Sequence, residues 1–136
     1  MRKVRGYNFS RSFMGERVPQ HIQNIVIKDF CEKNNLNFLL SATEYSMKNS
    51  FFILNQLTNN LDNIFGIVAY SVFQMPYDNL KRKKIFEKIL KKKKKIFFAC
   101  ENLKVISKND ISRIEKIWKL KKISFKCLQV KDLKKC

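Results

Sequence analysis

The chain is poor in the residues that mark common cofactor sites and membrane segments. Its 136 residues include three glycines, two prolines, one histidine and one tryptophan. Gly6, Gly15 and Gly66 are too dispersed to form a GxGxxG or GxxxxGK[ST] motif, so neither a dinucleotide site nor a P-loop is predicted and no cofactor is expected. The longest apolar runs fall short of the roughly 20 residues that cross a bilayer, so no membrane span is expected.

The spacing of the cysteines matches no common metal or disulfide motif. The four cysteines show no CxxC spacing and no neighbouring histidines, which excludes a typical zinc site and a disulfide framework, and no metal is expected. We interpret Cys31 and Cys100 as small buried apolar residues, with a catalytic thiol at Cys100 as the alternative because it ends a strand. No apolar stretch follows the basic N-terminus, so no secretory signal is visible and a cytoplasmic location is expected.

Acidic residues are few, and their distribution is uneven. The chain has 29 basic and 11 acidic residues and a net charge of +18. Residues 1–80 contain 8 basic and 6 acidic side chains, whereas residues 81–136 contain 21 and 5. We interpret the Lys91–Lys95 run as a solvated face whose lysines reflect the codon composition of an AT-rich genome. Nucleic acid is therefore not the expected partner. The alternative is a nucleic-acid binder that uses residues 81–136.

Four apolar segments predict β-strands, and the segments between them have helical periodicity. The predicted strands are Val4–Phe9, Phe38–Ala42, Gly66–Ser71 and Ile96–Cys100. The continuous apolar run of the second strand predicts burial on both faces. A first helix follows Pro19, with an apolar stripe that comprises Ile22, Ile25, Val26, Phe30 and Cys31. The next helices are predicted to begin at Asn49 or Ser50, at Asp78 or Asn79, and at Asn109 or Asp110. The helix that begins at Asp78 or Asn79 is predicted to bury Leu80, Ile85, Ile89 and Leu90 and to carry residues 81–84 on a solvated flank.

This alternation predicts an α/β fold, a small three-layer flavodoxin-like sheet of about four parallel strands in the order 2-1-3-4. The predicted domain covers residues 1–121, and residues 122–136 form a basic C-terminal extension. Within that extension, residues 123–130 are predicted to form a further strand or an added segment, and residues 131–136 a frayed tail.

The carboxyl ends of parallel strands meet at one edge of a sheet, where ligands bind in such folds. The sequence places most of its unusual polar residues there. The predicted ligand-binding residues are Arg11, Ser12, Glu16, Arg17, Gln20, Tyr45, Tyr70 and Ser71. Arg11 and Arg17 are predicted to bind an anion through charge-assisted hydrogen bonds, and Tyr70 has the alternative of a core residue.

Four residues are candidates for chemistry at the same edge. His21 is predicted as an acid or base oriented by Glu16 or Glu44, with a structural histidine as the alternative. Ser10 is a candidate nucleophile, with a turn or cap residue as the alternative. Glu101 follows the fourth strand, where a carboxylate is able to bind hydroxyls or hold a base.

Several segments together resemble a known family. They are Phe9-Ser10-Arg11, the stretch from Met14 to Asn24, Leu40 to Tyr45, and Gly66 to Ser71. These segments resemble the bacterial sporadic carbohydrate cluster protein family, over about residues 5–118. The resemblance implies a role in surface-carbohydrate biosynthesis and no particular reaction. With the anion site predicted at Arg11 and Arg17, we expect an accessory protein or small enzyme that binds an anionic sugar or nucleotide-sugar. The alternative is a non-catalytic module that partners a glycosyltransferase or another enzyme of the same pathway.

A second resemblance concerns the catalytic domain of serine recombinases, which begins with a Tyr-x-Arg-Val-Ser strand and continues with a glutamine-bearing helix. In Tyr7-Asn8-Phe9-Ser10-Arg11, Phe9 falls where that arginine would be and Arg11 where the nucleophile would be. Residues 71–77 also lack the later arginine-rich motif. The resemblance therefore implies a shared fold without DNA strand exchange.

Overall fold

The computed structural model describes the backbone of residues 2–134 and the side chains of residues 2–126. Five strands and four α-helices follow the chain. The strands are β1 (Lys3–Phe9), β2 (Asn37–Glu44), β3 (Gly66–Ala69), β4 (Lys95–Phe98) and β5 (Leu103–Val105), and the helices are α1 (Gln20–Lys33), α2 (Phe52–Asn59), α3 (Asn79–Lys91) and α4 (Lys108–Lys134).

The sheet has the order β2-β1-β3-β4-β5, and its first four strands are parallel. This confirms the predicted α/β class and the predicted order of these four strands. The fifth strand was not predicted, because three residues are too few to show a pattern. It pairs antiparallel with β4, with Ile96 opposite Val105, and extends the sheet at the edge opposite β2.

Helices cover both faces of the sheet, which gives the predicted three layers. On one face, Ile27, Phe30 and Cys31 of α1 pack in a cluster with Val68 and Phe97. On the other face, residues of α2, α3 and α4 form the larger core with the sheet. Helices α3 and α4, which contain most of the basic residues of the chain, therefore both lie on the second face.

The buried side of α1 differs from the predicted stripe. Ile22 and Ile25 are 40% and 59% exposed, whereas Gln23 and Ile27 are buried. Gln23 occupies an apolar position because its amide group replaces a strand partner: it accepts from the amide of Phe9 at 3.0 Å and donates to the carbonyl of Phe9 at 2.8 Å. Apolar periodicity alone does not reveal such a glutamine.

Three further side chains lie on a different side from the one predicted. Leu40 is 81% exposed because β2 is an edge strand, although a strand buried on both faces was expected. Leu80 is 69% exposed, at the start of α3. Arg82 is fully buried instead of lying on the solvated flank, because it binds Glu115 and lies over the ring of Trp118 at 4.3 Å.

Helix α4 is continuous from Lys108 to Lys134, so the predicted strand at residues 123–130 is wrong and no break occurs at residue 121. Its 27 residues span about 40 Å at 1.5 Å per residue. Part of the predicted frayed tail, Lys135 and Cys136, lies outside the described residues. Within the described part of the chain, no helix is apolar over a length that would cross a membrane.

The middle part of α4, from Trp118 to Phe125, passes beside the carboxyl ends of the strands. The indole nitrogen of Trp118 donates to the carbonyl of Val72, just beyond β3, at 3.2 Å. Further along the helix, a Cβ added to Gly15 would lie 3.3 Å from the ring of Phe125. Helix α4 therefore borders the loops that follow β1 and β3.

Candidate functional site

The buried carboxylate of Glu44 organises the loop between β2 and α2. Its two oxygens accept five hydrogen bonds of 2.8–3.2 Å, from Tyr7 Oη, Ser50 Oγ and the backbone amides of Tyr45, Ile53 and Leu54. Burial, with the charge of Glu44 adding to it, holds the pKa of the Tyr7 hydroxyl above its usual range. Glu44 therefore caps α2. Among the described residues it makes no hydrogen bond to His21, and its catalytic role stays a prediction.

This carboxylate also corrects the predicted start of α2. The helix begins at Phe52, and neither Asn49 nor Ser50 caps it with a side chain. Free amides at a helix start require an acceptor, and here Glu44 supplies it from the preceding strand. The sequence signal was a lone glutamate after an apolar strand, which also suits a ligand site.

Arg11 is bound within the protein. Its guanidinium donates to the carbonyls of Tyr45 at 2.7 Å and Ser50 at 2.8 Å, and it lies 4.1 Å from the centre of the Phe9 ring. The hydroxyl of Ser10 donates to the carbonyl of Glu44 at 3.2 Å. These contacts join β1 to the β2–α2 loop, and they favour the turn-residue alternative for Ser10.

Glu101 and Ser71 form a second internal cap. The Ser71 hydroxyl donates to Glu101 at 2.7 Å, and the amide of Val72 donates to it at 2.8 Å. Burial raises the pKa of Glu101 above its usual value of 4.5, although both hydrogen bonds favour the charged form. Ser71 is buried, so neither side chain is placed as a free ligand-binding group.

Tyr70 belongs to the core alternative and lies near a thiol and two carboxylates. Its ring packs edge-to-face on Phe13 at 6.2 Å. Burial, with Cys100, Glu16 and Glu101 adding to it, raises the pKa of Tyr70 to about 12. Cys100 is exposed, although it was predicted to be buried. Partial desolvation of its sulfur, and next the charge of Glu101, still raises the pKa of the thiol.

Glu16 closes a tight turn. Its backbone pairs with that of Phe13 through hydrogen bonds of 2.8 and 2.9 Å. Met14 and Gly15 between them have φ angles of 48° and 79°. Consecutive positive φ angles are typical of such a two-residue turn, and glycine adopts them with the least strain. The side chain of Glu16 is exposed and does not orient His21 through a hydrogen bond.

The remaining predicted site residues lie at or near the start of α1 or on the surface. Arg17, Gln20 and His21 are exposed, and among residues 2–126 their side chains make no hydrogen bond or ion pair. Tyr45 is 49% exposed and stacks on Phe52 with ring centres 5.9 Å apart. The structure therefore separates the predicted constellation into two structural caps and several unconnected surface residues.

A cavity of about 390 Å³ does lie at the carboxyl edge, bordered by α4 and by the loops that follow β1, β2 and β3. Of the predicted residues, Arg11 and Ser12 line it. Six of the residues that line it are aromatic, namely Phe9, Phe13, Phe51, Phe73, Tyr77 and Trp118. Sequence reasoning missed these residues because each aromatic side chain, taken alone, is typical of a core.

A second concave surface, which we call the α3–α4 groove, lies between the last two helices. It consists of two adjoining cavities of about 870 and 550 Å³ that share Lys83, Glu115 and Lys116. Its basic residues are Lys83, Lys91, Lys108, Lys116, Lys119, Lys122 and Lys126. The alternation of lysine with apolar residues in both helices was the available signal, but the denser Lys91–Lys95 run concealed it.

The charge of the α3–α4 groove is not neutralised internally. Glu87 and Glu115 are the acidic lining residues, and Glu115 pairs with buried Arg82. Within residues 2–126, the ion pairs are Asp29–Lys33 and Arg82–Glu115, so no groove lysine belongs to one. Burial, and next the charge of Arg82, lowers the pKa of Lys122, as expected where cations are crowded.

The Lys91–Lys95 run lies mostly at the opposite rim of the sheet, where it joins α3 to β4. Three of its lysines make local contacts. Lys92 donates to the carbonyl of Thr58 at 2.8 Å, Lys94 to that of Asp62 at 3.4 Å, and Lys95 lies 4.5 Å from the centre of the Phe65 ring. The run therefore also has a structural role in the loop.

Two solved structures are similar to this chain. A resolvase family site-specific recombinase from Streptococcus pneumoniae has a TM-score of 0.63 and 8% identity, over 97% of each chain. The N-terminal catalytic domain of TP901-1 integrase has a TM-score of 0.56 and 11% identity, over 87% of this chain and 96% of that one. At these identities the similarity concerns the fold. No protein-family model and no curated protein matches the chain.

These comparisons correct the predicted function. The structures that share this fold are recombinase domains, which points away from the predicted role in surface-carbohydrate biosynthesis. The predicted sugar or nucleotide-sugar ligand and the predicted glycosyltransferase partner depended on that role and are wrong with it. The resemblance of the sequence segments to the sporadic carbohydrate cluster family stays a prediction.

Proposed function

We propose that this protein binds DNA through the α3–α4 groove, as a member of the recombinase-like fold that does not exchange strands. The observation that carries the proposal is the set of seven groove lysines, none of which belongs to an ion pair among the described residues. The proteins that share the fold are described as a site-specific recombinase and an integrase catalytic domain. Their fold makes DNA the polyanion we favour.

Lysine clusters bind DNA by neutralising backbone phosphates and releasing condensed counterions. Each lysine that meets a phosphate adds about 0.9 to the slope of log affinity against log salt, so seven lysines allow a slope of about 6 at most. Affinity through this groove therefore decreases steeply as salt rises. Helix α4, 27 residues long, supplies five of these seven lysines.

The composition of the groove favours binding without sequence preference. Paired hydrogen bonds to base edges require donors in a fixed geometry, whereas lysines on a flexible stem act mainly as point charges. Among the side chains described, Asn79 is the amide that lines the groove, and its oxygen already accepts from Arg82 and Lys122. We therefore expect similar affinities for duplexes of different sequence and equal length.

The proposal excludes strand cleavage because of the surroundings of Ser10. A serine that attacks a phosphodiester requires cations over the developing phosphoryl charge. Arg11, the adjacent cation, is held by two backbone carbonyls, and the Ser10 hydroxyl donates to a third. Supercoiled plasmid should therefore stay intact with this protein, under conditions in which it is fully bound.

The test measures duplex affinity by fluorescence anisotropy over a salt series. The double variant Lys116→Glu with Lys119→Glu reverses two exposed charges in the groove. We expect its affinity to decrease by about tenfold or more at low salt, and its salt slope to fall by about 2. The unchanged melting temperature of the variant would show that the fold is intact.

The matched control is Lys93→Glu with Lys104→Glu, two exposed lysines outside the α3–α4 groove. Both double variants lower the net charge of +18 by the same amount. If the control reduces affinity as much as the groove variant, binding follows net charge and not this surface. Absence of duplex binding by the unaltered protein at low salt would overturn the proposal altogether.

A further inference from the structure

The DNA binding proposed for the α3–α4 groove gives no role to the aromatic cavity at the carboxyl edge. Its volume of about 390 Å³ lies within the range of small-ligand pockets, which begins at about 300 Å³. Its floor consists of the buried rings of Phe9, Phe13 and Trp118. A rigid apolar floor of this kind accepts a flat, apolar-faced group.

The open part of the cavity presents aromatic rings that are available for stacking. Tyr77 is 48% exposed, and its ring meets Trp118 edge-to-face with centres 6.0 Å apart. Phe73, half-buried, meets the same indole at 5.3 Å and 69°. Trp118 thus fixes two neighbouring rings from behind. Stacking on such platforms binds bases of any identity, because every base has a π-face.

The cavity is bordered by cations, and among residues 2–126 no acidic side chain lines it. Lys48 belongs to the lining, and Lys121 lies 5.1 Å from the centre of the Phe73 ring. Lys122, a groove lysine, lies 4.1 Å from the centre of the Tyr77 ring. Lys122 therefore connects the aromatic cavity to the α3–α4 groove, and a bound phosphate chain meets both surfaces there.

We infer that this cavity binds an unpaired nucleobase, stacked on Tyr77 and Phe73, with the adjoining phosphates at Lys48 and Lys122. The neutral side chains Ser12, Ser46 and Asn49 at the wall offer hydrogen bonds to the base edge. The inference rests on the proposed function and narrows its substrate class to DNA with a single-stranded or locally unpaired segment. A fully paired duplex would occupy the groove alone.

The test compares two short oligomers with the same number of phosphates, an oligothymidylate and its abasic analogue. Charge is equal in the two, so a difference in affinity reports the bases. We expect the unaltered protein to bind the oligothymidylate about tenfold more tightly, in the range of one stacked base. The emission of Trp118, the one tryptophan of the chain, should change with the oligothymidylate and not with the abasic oligomer.

Variants locate the effect. Tyr77→Ala should remove the preference for the oligothymidylate, and Tyr77→Phe should retain it because the ring remains. The matched control is Phe52→Ala, which removes a 54% exposed aromatic ring that is not part of the cavity and should retain the preference. Melting temperatures of the three variants identify any loss of fold, and the preference of the unaltered protein is a test that needs no variant.

The outcomes separate the two proposals. Equal affinity of the unaltered protein for both oligomers, or loss of the preference in Phe52→Ala, would overturn the cavity assignment. Duplex binding that still depends on Lys116 and Lys119 would in that case leave the groove proposal intact. Conversely, a base preference abolished by Tyr77→Ala without any duplex binding would support the cavity and overturn the groove.

Discussion

The carboxyl edge of the sheet and the α3–α4 groove both carry clustered polar side chains, but these side chains bind different things. At the carboxyl edge, Glu44, Glu101 and Arg11 satisfy backbone groups and hydroxyls of their own loops. In the groove, the lysines extend from two regular helices, whose backbone groups are hydrogen-bonded within the helices. The charged residues of the irregular loops are thus bound within the protein, whereas the lysines of the regular helices remain available to a partner.

The largest test of this difference is Glu44→Ala. It would leave the buried donors of Tyr7 and Leu54 without an acceptor, at about 1–3 kcal/mol for each buried group, together with the part-buried amide of Ile53. We expect the free energy of unfolding to decrease by about 3 kcal/mol or more, measured by urea denaturation. Glu16→Ala, at an exposed carboxylate, should change it by less than about 0.5 kcal/mol. Similar losses in both variants would contradict the capping role of Glu44.

A smaller effect distinguishes the two arginines that were predicted to share one anion. Arg11→Ala removes two charge-assisted hydrogen bonds to carbonyls and should lower the free energy of unfolding by about 2 kcal/mol. Arg17→Ala should have almost no effect, because its side chain makes no such bond within residues 2–126. Thermal or chemical denaturation of the pair measures both. An Arg17 variant as unstable as the Arg11 variant would remove the distinction.

The smallest effect concerns pH. The pKa of Glu101 is raised in the folded protein, so folding favours its protonated form, and stability from this group is present below about 4.5 and lost as pH rises through the raised pKa. We expect the protein to lose stability relative to Glu101→Gln over that window and the difference to be constant above it. A difference that grows in the opposite direction would show that the bonds from Ser71 and Val72 outweigh burial.

The parallel order of the first four strands was predictable because buried strands and amphipathic helices alternate clearly along residues 4–118. The position of a cavity at the carboxyl edge followed from that topology. Its composition did not follow, because the contact of Tyr77 with Trp118 depends on how α4 packs. The buried positions of Gln23 and Arg82 were missed for a similar reason, since each forms polar contacts with distant parts of the chain.

The failed prediction of a C-terminal strand has a related cause. Residues 123–130 contain isoleucine, phenylalanine and valine, which favour strands locally. Helix α4 is nevertheless continuous, and earlier in its course Ile111, Ile114 and Trp118 pack into the core. Helical structure that is already formed extends at little cost, so the later residues continue it.

The path of α4 has a consequence for how the chain folds during synthesis. The loop around Gly15 and the carbonyl of Val72 leave the ribosome well before their neighbours Phe125 and Trp118. Until Trp118 is synthesised, the rings of Phe73 and Tyr77 lack the indole against which they pack. The nascent sheet can therefore assemble in order, from the first strand onward, while its carboxyl edge stays exposed to chaperones until the last helix docks.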